Sequence, residues 1–505
     1  MLNNYKLPIK INFFRLRLTY KNIFLTFIAE AIVLIAFFFI YRLIGNNFGP
    51  EGVGEYSLVK RVIGFLEPLL LLGLGMGIPR YIAMSHSKEE RSVYIKSGTL
   101  IVMFLTFIFL IFTNLFKEYF AKIFFGDINY VNLILPLSFL MAGLVLYGLV
   151  YSYFRGRLLV KTFNFLQIIN LALVPLIILI FFRNITIDKF ISLTGIVTFI
   201  ISFIFSLFFI KEIFPGVRKL ELKNSFKNLL YYSVSRIPSS FALAGFFSLG
   251  PIFAVHFTSI REVGYFSVSQ SLLSAVGTVI APLGLILLPK ISNMIAHKRD
   301  EEIKENLNHL IGASIQLSIF LCLQLIIFAD LIIKNWLGLE FLDAVPVMRI
   351  AFCSLFFYFF FRAVASILDA AEVKPINTIN LFISLGIFLI ASGILLFLFN
   401  LFSPIISLSI SFALGIVCLG VLTYISIRKL YPEKTGKDLR YFAIAMGINI
   451  IIGSMAILVR PFTASGLHYL IFFEVLITMI YLLILWLLKM DWLKQIPEKI
   501  LLKSL

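Results

Sequence analysis

Val53-Gly54-Glu55-Tyr56-Ser57 and, 210 residues further on, Val263-Gly264-Tyr265-Phe266-Ser267 each open a long apolar run. The same offset relates Pro79-Arg80, which close the first run, to Pro289-Lys290, which close the second. Beyond them, the stretch from His86 to Arg91 is echoed from His297 to Glu302, and Lys161 and Lys374 end comparable short turns. A repeat of this length sets the architecture before any local motif is weighed.

Composition says what kind of element is repeated. Of 505 residues, 60% are hydrophobic and only 14% charged, with a mean hydropathy of +1.00. So few charged groups do not cover the surface of a soluble protein, and the chain reads as a polytopic membrane protein. A helix needs about 20 apolar residues to cross the bilayer core. By that measure the spans are 23–44, 56–78, 97–116, 131–153, 165–182, 190–210, 231–256, 263–289, 309–333, 346–368, 377–400, 405–427, 441–459 and 467–488. The first follows Lys6, Lys10, Arg15, Arg17 and Lys21, as a signal peptide would. Its apolar run is too long for one, and Gly45-Asn46-Asn47 is no cleavage site, so it is read as a retained helix.

The expected fold is all-α, with about fourteen transmembrane helices. Residues 1–22 form a basic N-terminus, 23–210 an N-lobe of six helices, 211–230 a linker, and 231–427 a C-lobe of six. A loop at 428–440, two further helices within 441–488 and a tail at 489–505 complete the chain. Six is even, so the lobes run parallel, and substrate paths of transporters often lie between such repeats.

The net charge of +18 is sorted by side. One alternate set of connections, with the termini, holds 31 Lys and Arg, and the other set holds seven. That bias places both termini in the cytoplasm of a cell membrane and accounts for the charge without nucleic acid as a partner. Every loop is too short for a soluble catalytic domain, so no enzyme is expected. Cys322, Cys353 and Cys418 lie in apolar runs without a CxxC pair, and the five histidines lack ligand spacing. No phosphate-binding loop of an ATP motor occurs. Neither metal nor cofactor is expected.

The stretch FGPEGVGEYSLV (Phe48–Val59), the span ending GLGMGIPRY (Gly73–Tyr81), the basic N-terminus and the echo at Val263 resemble the oligosaccharide flippases. These are the Wzx-like polysaccharide transporters of the multidrug/oligosaccharidyl-lipid/polysaccharide exporter superfamily. The resemblance covers essentially the whole chain. It implies a two-lobed, V-shaped carrier that moves a lipid-linked glycan across the membrane by alternating access. Its partners would be a polyprenyl phosphate- or pyrophosphate-linked oligosaccharide, membrane lipid, and polysaccharide polymerase or glycosyltransferases. An ion-coupled multidrug or metabolite antiporter and a peptidoglycan-precursor flippase are the alternatives.

Ionisable residues inside spans are the informative exceptions, each costing roughly 2.5–3.5 kcal/mol at a lipid-facing helix centre. At 100° per residue, Ser57, Lys60, Arg61, Gly64, Glu67, Pro68 and Leu71 share one face of the second span. The repeat offset gives Ser267, Gln270, Ser271, Ser274, Gly277, Thr278 and Ala281 on the eighth, either a shared wet face or tight small-residue packing. Glu30 and Arg236, the latter followed by Pro238, stand at one depth in the leading helices of the two lobes. They form a gate, a proton or sodium site, a phosphate clamp or a static ion pair. Arg362 shares a face with Tyr358, Ser366 and Asp369, and reaches the cleft, snorkels or pairs with Asp369. Arg42, Arg349 and Asp330 read as interfacial, and Glu474 is isolated. Mid-span cations outnumber carboxylates, which favours an anionic cargo. The candidate cargo ligands are therefore Lys60, Arg61, Arg236, Arg362, Gln270 and Ser274. Glu30 and Glu67 are the candidates for coupling to a proton or sodium gradient.

Overall fold

The computed structural model describes residues 13–490 apart from 183, 214–218, 235–236, 373, 400, 434–435, 464–465 and 489. Arg236, the start of the basic N-terminus and the tail beyond Met490 lie outside the described residues, as do the side chains of Pro289 and Lys290. Among the described residues every regular element is helical. Twelve helices are long and apolar enough to cross a membrane, and a pair bent by 47°, Leu339–Cys353 with Leu355–Ala371, makes a thirteenth span.

The first of the twelve is itself two spans. Helix α1 (Phe13–Leu70) is broken at Gly49, whose φ of +67° is disfavoured for any residue with a Cβ, and Pro50 follows without an N–H to continue the ladder. The two arms fold back on each other. Ser57 Oγ donates to the Tyr41 hydroxyl at 3.2 Å across 16 residues, and the Tyr41 and Tyr56 rings lie 5.7 Å apart. A straight helix would separate such residues by about 24 Å. Counted this way the crossings number fourteen, as hydropathy predicts.

The second crossing departs from the sequence reading, which runs it unbroken over 56–78. It stops at Leu70, turns through Leu72 (φ +45°) and Gly73 (φ +69°), and resumes as α2 (Leu74–Met84). Gly73 is needed there for space as well as conformation: a Cβ would lie 2.3 Å from Ser233 O.

The N-lobe continues with α3 (Lys88–Leu115), α4 (Lys117–Phe125), α5 (Ile134–Gly156), α6 (Val160–Ile168), α7 (Val174–Phe181) and α8 (Ile187–Ile213). Ser87 caps α3 by accepting from Glu90 N, and the Glu90 carboxylate accepts from His86 N. Helices α5 and α8 cross at two glycines. A Cβ on Gly195 would stand 2.4 Å from Leu140 N, and one on Gly143 2.5 Å from Gly195 O. Small residues bring membrane helices together in this way, because lipid gives no hydrophobic drive between them.

A linker helix, α9 (Lys219–Val234), leads into α10 (Ile237–Ala254), α11 (Ile260–Ala296), α12 (Asp300–Ile327), α13 (Ala329–Trp336), α14 (Val345–Cys353), α15 (Leu355–Ala371), α16 (Ile376–Gly393) and α17 (Pro404–Leu430). The order of elements recurs between the lobes. In each, a short helix ends at a positive-φ glycine, Gly126 or Gly338. A six-residue 3-10 turn then leads into the fourth crossing of the lobe. Each fifth crossing carries a π-helical segment, Ile169–Leu173 or Ile394–Phe399. The last pair, α18 (Lys437–Thr463) and α19 (Leu467–Leu487), packs on α12, where Tyr441 covers Gly312 and Leu323 covers Gly453.

The lobes meet on the face opposite the Lys- and Arg-rich connections. A Cβ on Gly54 would fall 2.0 Å from Ile260 O, and one on Gly264 2.9 Å from Gly54 N. The glycines that mark the sequence repeat are thus the point where the two lobes touch backbone to backbone. Trp336 Nε1 donates to Phe38 O at 2.8 Å, and Arg42 Nη1 to Asn335 O at 2.8 Å, reinforcing the same junction. On the basic face α9 docks on the N-lobe through Ser97 Oγ and Ser225 Oγ, 2.6 Å apart, and through the Tyr81 hydroxyl, which donates to Asn228 O.

Candidate functional site

The second arm of α1 builds the site. Its Lys60 and Arg61 open into a cavity of about 280 Å³ between the N-lobe and the C-lobe helices α10 and α11. Tyr41 and Tyr56, Asn170, Thr194 and Thr198 line its N-lobe wall, and Ser248 and Ser271 close it from the C-lobe. Gly64 lets α10 approach, since a Cβ there would be 3.3 Å from Ser248 Oγ. Among the described lining residues two are cations, several carry hydroxyls and none is a carboxylate.

Arg61 also ties the lobes. Its Nη2 donates to Ser267 O at 2.8 Å and to Ser271 Oγ at 2.7 Å. Ser271 is the repeat equivalent of Arg61 itself, so the two halves of the repeat meet across the cleft at this bond. Ser274, one turn on, is half-buried and donates to Ser271 O at 2.9 Å.

The remaining candidates are placed elsewhere. Gln270 is fully buried, with its Nε2 3.2 Å from where a Cβ on Gly250 would stand, so it points into its own lobe toward α10. Arg362 makes a long bond to Gly277 O at 3.5 Å, at a joint between α11 and α15 where Tyr358 packs on the same glycine. Asp369 accepts from Asn377 at 2.8 Å. Glu30 accepts from Gln167 Nε2 at 3.1 Å, and Asn164 Nδ2 donates to Thr26 one turn earlier at 3.2 Å. Glu67 faces α5, where a Cβ on Gly148 would be 3.6 Å from its Oε1. Lys60 and Arg61 therefore share one chamber and Arg362 lies outside it, while the two carboxylates sit against α5 and α6.

Sequence reasoning missed Tyr41, Asn170, Thr198 and Ser248 as lining residues. Each is an ordinary polar residue in an apolar helix, and four different helix arms contribute them. Among the described residues no group of His, Cys, Asp or Glu is placed to hold a metal ion.

The described residues thus form an all-helical membrane fold with a cationic chamber among its helices, a fold shared with solved flippase and multidrug-transporter structures. The chain belongs to the polysaccharide biosynthesis protein family, whose model matches residues 19–295, more than half of its length. No curated protein matches it at the level of sequence. Among solved structures it is similar to the lipid II flippase MurJ in an inward closed conformation. The identity is 15%, the match covers 90% of this chain and 99% of that one, and the TM-score is 0.67. It is similar also to an inward-facing multidrug resistance MATE transporter of the MOP superfamily, with 13% identity, 80% and 94% coverage and a TM-score of 0.65. A eukaryotic MATE transporter matches with 12% identity, 84% and 97% coverage and a TM-score of 0.53.

Proposed function

We propose that the protein flips a lipid-linked oligosaccharide from the cytoplasmic to the outer leaflet of the cell membrane, for cell-surface polysaccharide synthesis. The basic face is cytoplasmic, by the distribution of Lys and Arg. The observation that carries the reading is the chamber in which Lys60 and Arg61 are joined by hydroxyls and an amide, with no carboxylate among the described lining residues. Such a site suits the phosphate or pyrophosphate next to the sugar, because charge-assisted bonds to a phosphate are strong in a low-dielectric cavity. The lipid tail stays in the bilayer. The family and the fold shared with a lipid II flippase support the same class of cargo.

Arg61 links binding to movement. Its guanidinium serves both the chamber and the bond across the lobes, so an anion held there meets a different Arg61 when the lobes part. A ligand drives a change of state only through such a difference in affinity. Arg236, outside the described residues, is retained as a second phosphate ligand on sequence grounds, and Glu30 or Glu67 as the group that couples transport to protons or sodium.

The test is glycan display in a flippase-deficient strain. Each charge-assisted bond is worth about 1.5–3 kcal/mol, so its loss weakens binding about tenfold or more. Arg61→Ala is expected to abolish display at normal protein level, and Arg61→Lys to retain part of it. Normal display by Arg61→Ala overturns the phosphate-clamp mechanism.

A further inference from the structure

A half-buried acid, Glu474, lies far from the chamber, on the C-terminal helix α19. Two contacts fix how α19 lies on α12: the Tyr481 ring stacks on Phe320 at 4.2 Å, and the Tyr481 hydroxyl donates to Gln316 O at 2.7 Å. The two helices run in opposite directions. Counted from this anchor toward the face away from the basic loops, Glu474 lies seven residues up α19 and Gln324 eight residues up α12. At 1.5 Å per residue both stand about 10–12 Å from it, in one layer. On a helical wheel Leu470, Glu474, Ile477, Tyr481 and Leu485 share a face of α19. The other four are buried, and Glu474 falls in the middle of that face. Gln324 is 4% exposed, and neither its Nε2 nor its Oε1 has a hydrogen-bond partner.

No cation faces this layer among the described residues. Beside it α18 presents Gly453 to Leu323. Along the same helices Asp330 pairs with Arg460 and Arg349 at the ends farther from the basic face, and Tyr481 lies toward mid-membrane. His468 sits near the start of α19, about 120° round the helix from Glu474. Cys322 points across α12 to Phe352 O. Among the described residues Glu474 has no ion-pair partner.

We propose that Glu474 and Gln324 form a proton-binding site within the C-lobe assembly, separate from the cargo chamber. An ionised carboxylate has no counter-charge in this layer, whereas a neutral acid and a carboxamide are complementary. Once protonated, Glu474 would donate its O–H to Gln324 Oε1 and accept from Gln324 Nε2, which would satisfy both atoms left without partners in this structure and hold α19 against α12. The proton is taken from water when the layer is wet and returned to water when α19 lifts away. Only the carboxyl O–H bond forms and breaks. Two states with different proton affinity are what a proton gradient needs in order to drive an alternating carrier. The site requires no assumption about the cargo.

The test reads the proton directly. Infrared spectra of the full chain in lipid nanodiscs are followed from acid to alkaline pH for the wild type, Glu474→Gln and Gln324→Met. Glu474→Gln mimics the neutral acid in shape and hydrogen bonding, so it keeps α19 in place. The wild type is expected to show, at neutral pH, the carbonyl band of a protonated carboxylic acid that Glu474→Gln lacks. Gln324→Met should move that band to higher frequency, as a weaker hydrogen bond does. The proposal is overturned if the wild type and Glu474→Gln have the same acid band at neutral pH. It is overturned equally if added sodium at constant pH removes the band, which would mark a metal-cation site. If Gln324→Met fails to fold, the comparison with Glu474→Gln decides alone.

Discussion

Replacing Gly54 by alanine would put a methyl group 2.0 Å from the carbonyl oxygen of Ile260, at the point where the lobes touch. Ordinary contact begins at 3.4 Å, so the two backbones must part by the difference, about 1.4 Å. Neither side can yield by a rotamer change, because the obstacle is a main-chain oxygen. Overpacking of this kind costs about 1–3 kcal/mol. Here the cost falls only on the state in which the lobes are joined. The ratio of joined to parted states should therefore drop by about fivefold to 150-fold. Accessibility of Ser57, fully buried one turn further along, reads that ratio. In a background lacking Cys322, Cys353 and Cys418, Ser57→Cys is treated with a membrane-impermeant thiol reagent from the face opposite the basic loops. Labelling should accelerate when Gly54→Ala is added. It should not respond to Gly447→Ala, where an added Cβ meets nothing within 4 Å. Unchanged labelling in a folded Gly54→Ala protein would refute the role assigned to the repeated glycines.

Other substitutions separate burial from mere proximity. Trp336→Phe deletes the bond to Phe38 O, worth about 0.5–1.5 kcal/mol, and should loosen the same junction in the labelling assay to a smaller degree. Asp438 accepts two bonds from Arg428, at 2.7 and 2.6 Å, and both side chains are 11% exposed. Asp438→Asn leaves a buried guanidinium short of its counter-charge, and thermal unfolding in detergent should show a loss of about 3–5 kcal/mol. Asp330→Asn, whose partners Arg349 and Arg460 are more than 40% exposed, should cost about 1 kcal/mol or less in the same measurement. A reversed order would contradict this account of the two ion pairs. Gly195→Leu drives a side chain into the α5 backbone at 2.4 Å and should deplete folded protein in membranes, read as fluorescence-detected size-exclusion yield.

Hydropathy and charge were enough to place this chain in a membrane with about fourteen crossings, because the cost of a charge in lipid is paid residue by residue and needs no neighbour. Lys60 and Arg61 stood out for the same reason, and the two VG blocks suggested a duplication before any contact was known. What those blocks do was not legible. Only the folded chain shows Gly54 against Ile260, and only there does Arg61 meet its own repeat equivalent, Ser271. Helical periodicity put Gln270 on the same face as Ser274, yet the crossing of α10 and α11 at Gly250 turns Gln270 into the lobe. The break at Gly73 was hidden in an unbroken apolar run, and the neighbour that leaves no room for a side chain there, Ser233 of α9, is far along the chain. Glu474 reads as solitary in the sequence, and Gln324, which we propose as its partner, is 150 residues away. Periodicity is a property of one helix at a time. Which faces meet is decided by how closely pairs of helices approach, and in this protein a few glycines set that distance.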